Sequence, residues 1–182
     1  MTRGPFLKTF RLENFKAVQD SRSVVFSPLT VLIGNNGSGK SSLIEGLETY
    51  RSIVAHGLDA AMQPWFGMDH VWNKRSRTPP PGREGADMTP IRFTLAGHTG
   101  AGPYKAVMAV NSDAAGKGYQ IYNESGCSPK DGAFARGCDG AVGYDATKPV
   151  HLRAHVHAEP GESAAPADFR SFIARWQFLS LL

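Results

Sequence analysis

Gly34-Asn35-Asn36-Gly37-Ser38-Gly39-Lys40-Ser41 decides how the rest of this chain is read. It fits the pattern Gly, four residues, Gly-Lys-Ser/Thr, of a phosphate-binding loop. With this composition the pattern would arise by chance on the order of once in a hundred chains. The flanks narrow it further. Ahead lies the apolar run Leu29-Thr30-Val31-Leu32-Ile33, short enough to be a buried strand. Behind lies Ser42 to Val54, where Leu43, Leu47, Tyr50 and Val54 recur at helical spacing. Strand, glycine loop and helix is the context in which such a loop works.

Small residues let successive backbone N–H groups turn inward around a phosphate. The helix start adds unpaired donors and the positive end of its dipole. On this reading Gly34, Asn35, Asn36, Gly37, Ser38, Gly39 and Ser42 shape the cradle. Lys40 reaches the β- and γ-phosphates, and the Ser41 hydroxyl ligates Mg²⁺. The expected ligands are therefore a nucleotide, ATP, and Mg²⁺. GTP is disfavoured because Asn73-Lys74-Arg75-Ser76 lacks the Asp that reads guanine.

The chain has 182 residues, enough for one domain with a real core. Hydrophobic content of 41% and charged content of 20% are ordinary for a globular protein. No apolar run approaches a membrane span. Met1 to Pro5 lacks the apolar core of a signal peptide, so a cytoplasmic location is the default expectation. Cys127 and Cys138 have no metal-type spacing. A net charge of +4 is compatible with nucleic acid but mild.

Phe6 to Phe15 reads as a strand with Phe6, Phe10 and Leu12 on one face, and Arg22 to Phe26 as a second, antiparallel to it. Gly57 to Asn73 carries Trp65, Phe66, Met68, Val71 and Trp72, and reads as a short helix and turns packed on the core. Asn73 to Gly85, with four cations and three consecutive prolines, reads as an exposed loop. Three alternating runs follow, around Ile91 to Leu95, Tyr104 to Val110 and Tyr119 to Ile121, as an antiparallel meander. Ser125 to Pro149 is rich in Gly and small residues and reads as an irregular insertion. Val150 to Ala158 alternates strictly, with His151, His155 and His157 on one face; a solvated strand side explains them better than a metal. Asp168 to Trp176 reads as a helix, and Trp176 to Leu182 as the start of a further strand.

The order of Leu12-Glu13-Asn14-Phe15-Lys16, a second strand and Leu29 through Glu45 resembles the RecF/SMC-like ATPases. These include the OLD-type and related "AAA family" P-loop ATPases with an ABC-type head. The resemblance covers residues 6 to 54. It implies an α/β fold with an α+β tendency: a mixed sheet around the P-loop helix plus an antiparallel meander. It implies that Asn36 lies near the γ-phosphate and that Lys16 leans toward the nucleotide phosphates. It also implies head-to-head dimerisation or a partner subunit completing the head, and it suggests DNA as a partner. The sequence adds to DNA only its mild basicity and the cations from Lys74 to Arg83.

The departures bear on catalysis. No apolar strand ends in Asp or Asp-Glu; Asp139 and Asp145 follow none. No Ser-Gly-Gly signature is present, and Asn123-Glu124-Ser125-Gly126 is not one. Gln177 sits in a poor setting for a Mg²⁺-sensing glutamine. The catalytic residues are thus unknown. The expectation is a truncated N-terminal lobe: 1–56 as nucleotide-binding core, 57–90 as variable insertion and basic loop, 91–158 as β region, 159–182 as helix and strand start. The function expected is ATP binding, with hydrolysis in the complete protein; the alternative is a nucleotide-binding module without turnover. An ABC transporter subunit fits poorly, because Ser27-Pro28 replaces the usual Gly-Glu turn and Ser41-Ser42 the usual Ser-Thr.

Overall fold

The computed structural model describes residues 5–75, 89–99, 102–112, 119–128, 132–136, 142–144, 163, 165 and 167–178. Three strands open the chain: β1 (Phe6–Phe15), β2 (Val18–Asp20) and β3 (Val24–Val25). Two helices follow, α1 (Lys40–His56) and α2 (Leu58–Met62), with 3-10 turns at Gln63–Trp65 and Met68–His70. Then come β4 (Ile91–Thr99), β5 (Gly102–Ser112), β6 (Tyr119–Ser128), β7 (Gly132–Arg136), β8 (Val142–Tyr144) and α3 (Ala167–Ala174).

The strands form one sheet in the order β2-β1-β4-β5-β6-β7-β8, with β3 also on β1. Every described pairing is antiparallel. Helices lie on this sheet, so the α/β class expected of a P-loop ATPase lobe holds. Period-two alternation puts Ile91, Phe93 and Leu95 of β4 and Tyr104, Ala106, Met108 and Val110 of β5 on the buried face. α1 covers that face. Leu43, Leu47, Tyr50, Ile53 and Val54 are all buried, which stabilises the packed helix by on the order of 10 kcal/mol as an upper bound. The Tyr50 and Phe93 rings meet at 5.6 Å. Gly46 lets the helix come close, because a Cβ there would run into the buried Leu12 side chain.

α3 docks through aromatic edges: Tyr104 meets Phe169 at 5.0 Å and Phe172 at 5.6 Å. Glu124, 2% exposed on β6, accepts a 2.6 Å hydrogen bond from Ser163 Oγ. The Asn123–Gly126 stretch is thus strand interior.

The structure corrects several expectations. Leu29 to Ile33 makes no strand pairing among the described residues, and Leu29, Val31 and Ile33 are 82%, 69% and 90% exposed. Its apolar pattern is that of a strand, but no described neighbour offers it a ladder. The pairing of β1 with β4 shifts between Leu7 and Thr9, leaving Lys8 as an extra residue. Such a bulge reverses the alternation. Leu7 therefore packs toward the core with Phe10 and Leu12, while Phe6 stacks on His98 instead. Phe66, expected among the packed residues, is 90% exposed. Part of the expected irregular insertion is strand, in β6, β7 and β8. Trp176 to Phe178 has no regular structure, though Trp176 and Phe178 pack partly against the core. The His151–His157 strand, Asp139, Asp145, Arg77 and Arg83 lie outside the described residues. No helix among the described residues is long and apolar enough to cross a membrane.

Candidate functional site

α1 starts where the glycine loop ends. Gly37 (φ +82°) and Gly39 (φ +88°) adopt the left-handed backbone that the tight loop needs. Gly39 occupies the N-cap position and supplies no side-chain cap, and no acidic residue stands in the first turn. The first turn of this 17-residue helix thus sets no carboxylate of its own beside its first N–H groups. An anion there would meet donors and the positive end of the dipole.

Lys40 is folded onto the loop. Its ammonium donates to Gly34 O at 2.6 Å, Asn35 O at 2.7 Å and Ser38 Oγ at 3.2 Å. Ser38 N–H donates to Asn35 O, closing the turn. Gly34 to Ser38 and Ser41 are exposed, while Ser42 is buried beneath the helix start. Loop donors, Lys40 and the Ser41 hydroxyl thus gather at one helix end. They fit a phosphate chain, with Ser41 as a single hydroxyl donor for a hard cation that keeps most of its waters. Among the described residues no three His, Cys, Asp or Glu side chains gather as a metal site.

β1 and β2 support this corner. Arg11 donates to both carboxylate oxygens of Asp20, at 2.9 and 3.0 Å, and to Glu13. That hydrogen bonding holds the Asp20 carboxyl below its ordinary range. β2 then brings Val18 against Gly39, where an added Cβ would lie 3.0 Å from Val18 Cγ2.

Lys16 is in the turn between β1 and β2, but its ammonium faces Glu45 and Trp65. It lies 2.8 Å from Glu45 Oε2 and 3.8 Å from the Trp65 ring centroid. The sequence reading missed both partners. One signal was available for Glu45: it stands four residues after Ser41, on the same helix face. Nothing in the sequence pairs Lys16 with Trp65.

The family described as AAA ATPase domain matches residues 6–50. The DNA replication and repair protein RecF of Nostoc punctiforme is 37% identical over 51 residues, 28% of this chain and 14% of that protein. The RecF of a Picosynechococcus species is 39% identical over 51 residues, 28% of this chain and 13% of its own length. The match thus spans about a seventh of these relatives. No solved structure matches the chain.

Proposed function

The N-terminal region of this chain is that of a RecF/SMC-like P-loop ATPase, and from that premise we propose that Gly34 to Ser41 binds ATP with Mg²⁺. The carrying observation is the uncapped, acid-free N-terminus of α1 met by Lys40 and the glycine loop. In this reading Lys40 leaves the Gly34 and Asn35 carbonyls for the β- and γ-phosphates. Loop N–H groups from Asn35 to Ser41 hold the phosphate oxygens, with Asn36 near the γ-phosphate and Ser42 bracing the helix start. Ser41 is the protein ligand to Mg²⁺, which when bound neutralises charge on the phosphate oxygens.

Hydrolysis belongs to a completed head. The exposed Leu29–Ile33 segment, without a strand pairing among the described residues, supports this. It offers a ladder edge and an apolar face for strands beyond the described residues, whether of this chain, a second copy or a partner subunit. Those strands would also bring the carboxylate and water-positioning groups that phosphoryl transfer requires. The same segment favours the second reading, a nucleotide-binding module without turnover by this chain alone. The domain division falls with it: residues 1–56 as the nucleotide-binding core, the rest as its support. The RecF relatives are DNA replication and repair proteins by name, and DNA is the macromolecular partner this reading carries.

Calorimetry with MgATP tests the binding claim. The full chain should bind, and Lys40→Ala should weaken binding at least tenfold. Equal affinity in that variant would remove the loop from the site. Phosphate release measured on the same samples separates the readings. Release above the Lys40→Ala level assigns turnover to this chain, and binding without release assigns the module.

A further inference from the structure

Lys16 is held more firmly than a surface lysine needs to be. Its backbone is left-handed, φ +49°, although it carries a side chain. Such strain persists only where the surroundings over-determine it. Here Lys16 N–H donates to Val71 O at 2.6 Å and Asn73 Nδ2 donates to Lys16 O at 2.7 Å. Asn73 N–H donates to Asn14 O at 2.9 Å, closing the same corner. The far end is held too, by the Glu45 carboxylate and the face of Trp65. Neither charged side chain is fully solvated: Lys16 is 26% exposed and Glu45 32%.

The position of this cluster gives it meaning. Glu45 lies about one turn, roughly 6 Å along the axis, beyond Ser41 on the same helix face. Val18, two residues past Lys16, touches Gly39 at the loop–helix junction. The Lys16 ammonium, bound to that Glu45, therefore lies about one helical turn from Ser41, already committed to a carboxylate and a ring. An ammonium is a compact charge on a flexible stem, able to exchange one anionic partner for a stronger one.

We propose that Lys16, Glu45 and Trp65 form a latch that reports occupancy of the phosphate loop. The proposal rests on the nucleotide reading above. A triphosphate carries more negative charge than one carboxylate and draws the ammonium away from Glu45. Trp65 then loses its cation, and the 3-10 turns Gln63–Trp65 and Met68–His70 feel the change. Glu45 and Trp65 are positioning residues that act through Lys16. Glu45 both competes for that ammonium and stands as a like charge near the ligand, so it lowers nucleotide affinity.

The test combines calorimetry with tryptophan emission during MgATP titration of the full chain. Trp65→Phe isolates the Trp65 signal from Trp72 and Trp176. The expected result is a Trp65 emission change in the wild type that is lost in Lys16→Met, whose apolar stem retains the packing. Glu45→Gln should bind MgATP 3- to 10-fold tighter and start from an emission already shifted. MgATP binding without a Trp65 signal, or a signal that persists in Lys16→Met, overturns the latch and leaves the nucleotide reading standing. Unchanged affinity in Glu45→Gln also overturns it. No binding to the wild type overturns both.

Discussion

At the scale of single residues, two buried hydroxyls set the first test. Thr49 Oγ1 and Tyr104 OH have no hydrogen-bond partner among the described residues. Burial pushes the Tyr104 phenol well above its ordinary value of 10.0. An unsatisfied buried group costs about 1–3 kcal/mol. Tyr104→Phe keeps the ring edges against Phe169 and Phe172 and removes that group. It should raise unfolding stability by about 1 kcal/mol at neutral pH. The sign at alkaline pH also follows. The folded chain keeps the Tyr104 proton where the unfolded chain releases it, above about pH 10. The Tyr104 contribution to stability is therefore intact below pH 10 and is lost as pH rises toward the folded value. Urea unfolding at pH 7 and near pH 11 checks both points. Tyr104→Phe should gain stability at the first and lose less than the wild type between the two. A clear loss of stability at pH 7 would mean that the hydroxyl is satisfied.

At the scale of elements, the segment Leu29–Ile33 shows how far the sequence can be read. Its apolar run states what the segment is suited to be. It does not state which strand will lie beside it, because pairing is a property of neighbours. Replacing Val31 and Ile33 by Glu should change the unfolding free energy by no more than about 0.5 kcal/mol, since both side chains are solvent-facing. The same change should abolish any concentration-dependent association of the chain, because it places charge on an exposed apolar edge. Sedimentation velocity and denaturation read the two effects. A loss above about 1 kcal/mol would show that the segment is packed on the core. Other elements followed local signals closely. α1 was legible from Leu43, Leu47, Tyr50 and Val54, although it begins at Lys40, two residues ahead of the expected Ser42. β4 and β5 were legible from strict alternation. The Lys8 bulge was not, because an extra residue leaves no trace in hydrophobicity until the partner strand is known. β7 and β8 were hidden by Gly and Ala, whose side chains give little period. The loop half of the site was legible because backbone geometry itself demands glycine. The Lys16–Glu45–Trp65 half was not, because residues 29 and 49 positions apart met only through the fold.

At the scale of the whole molecule, the phosphate loop hangs between unequal supports. Behind it α1 is fixed to the sheet by Gly46 on Leu12 and by Tyr50 on Phe93. In front of it runs a segment with no strand partner among the described residues. Stability is therefore expected to be uneven, high in β4, β5 and α1 and low from Ser27 to Ser38. A ligand that bridges loop and helix adds its free energy to the folded state, about 2.7 kcal/mol at a hundredfold excess over Kd. For a chain of this size that is a rise in Tm of roughly 5–10 °C. Amide exchange should show where the added order falls. MgATP should slow exchange from Gly34 to Leu43, the segment that holds the donors of the proposed cradle, and leave β4 and β5, already the slowest, unchanged below the global limit. Lys40→Ala should lose both the Tm rise and the local protection. If MgATP raises Tm while protection appears only in β5 and β6, nucleotide binds this chain somewhere other than the glycine loop.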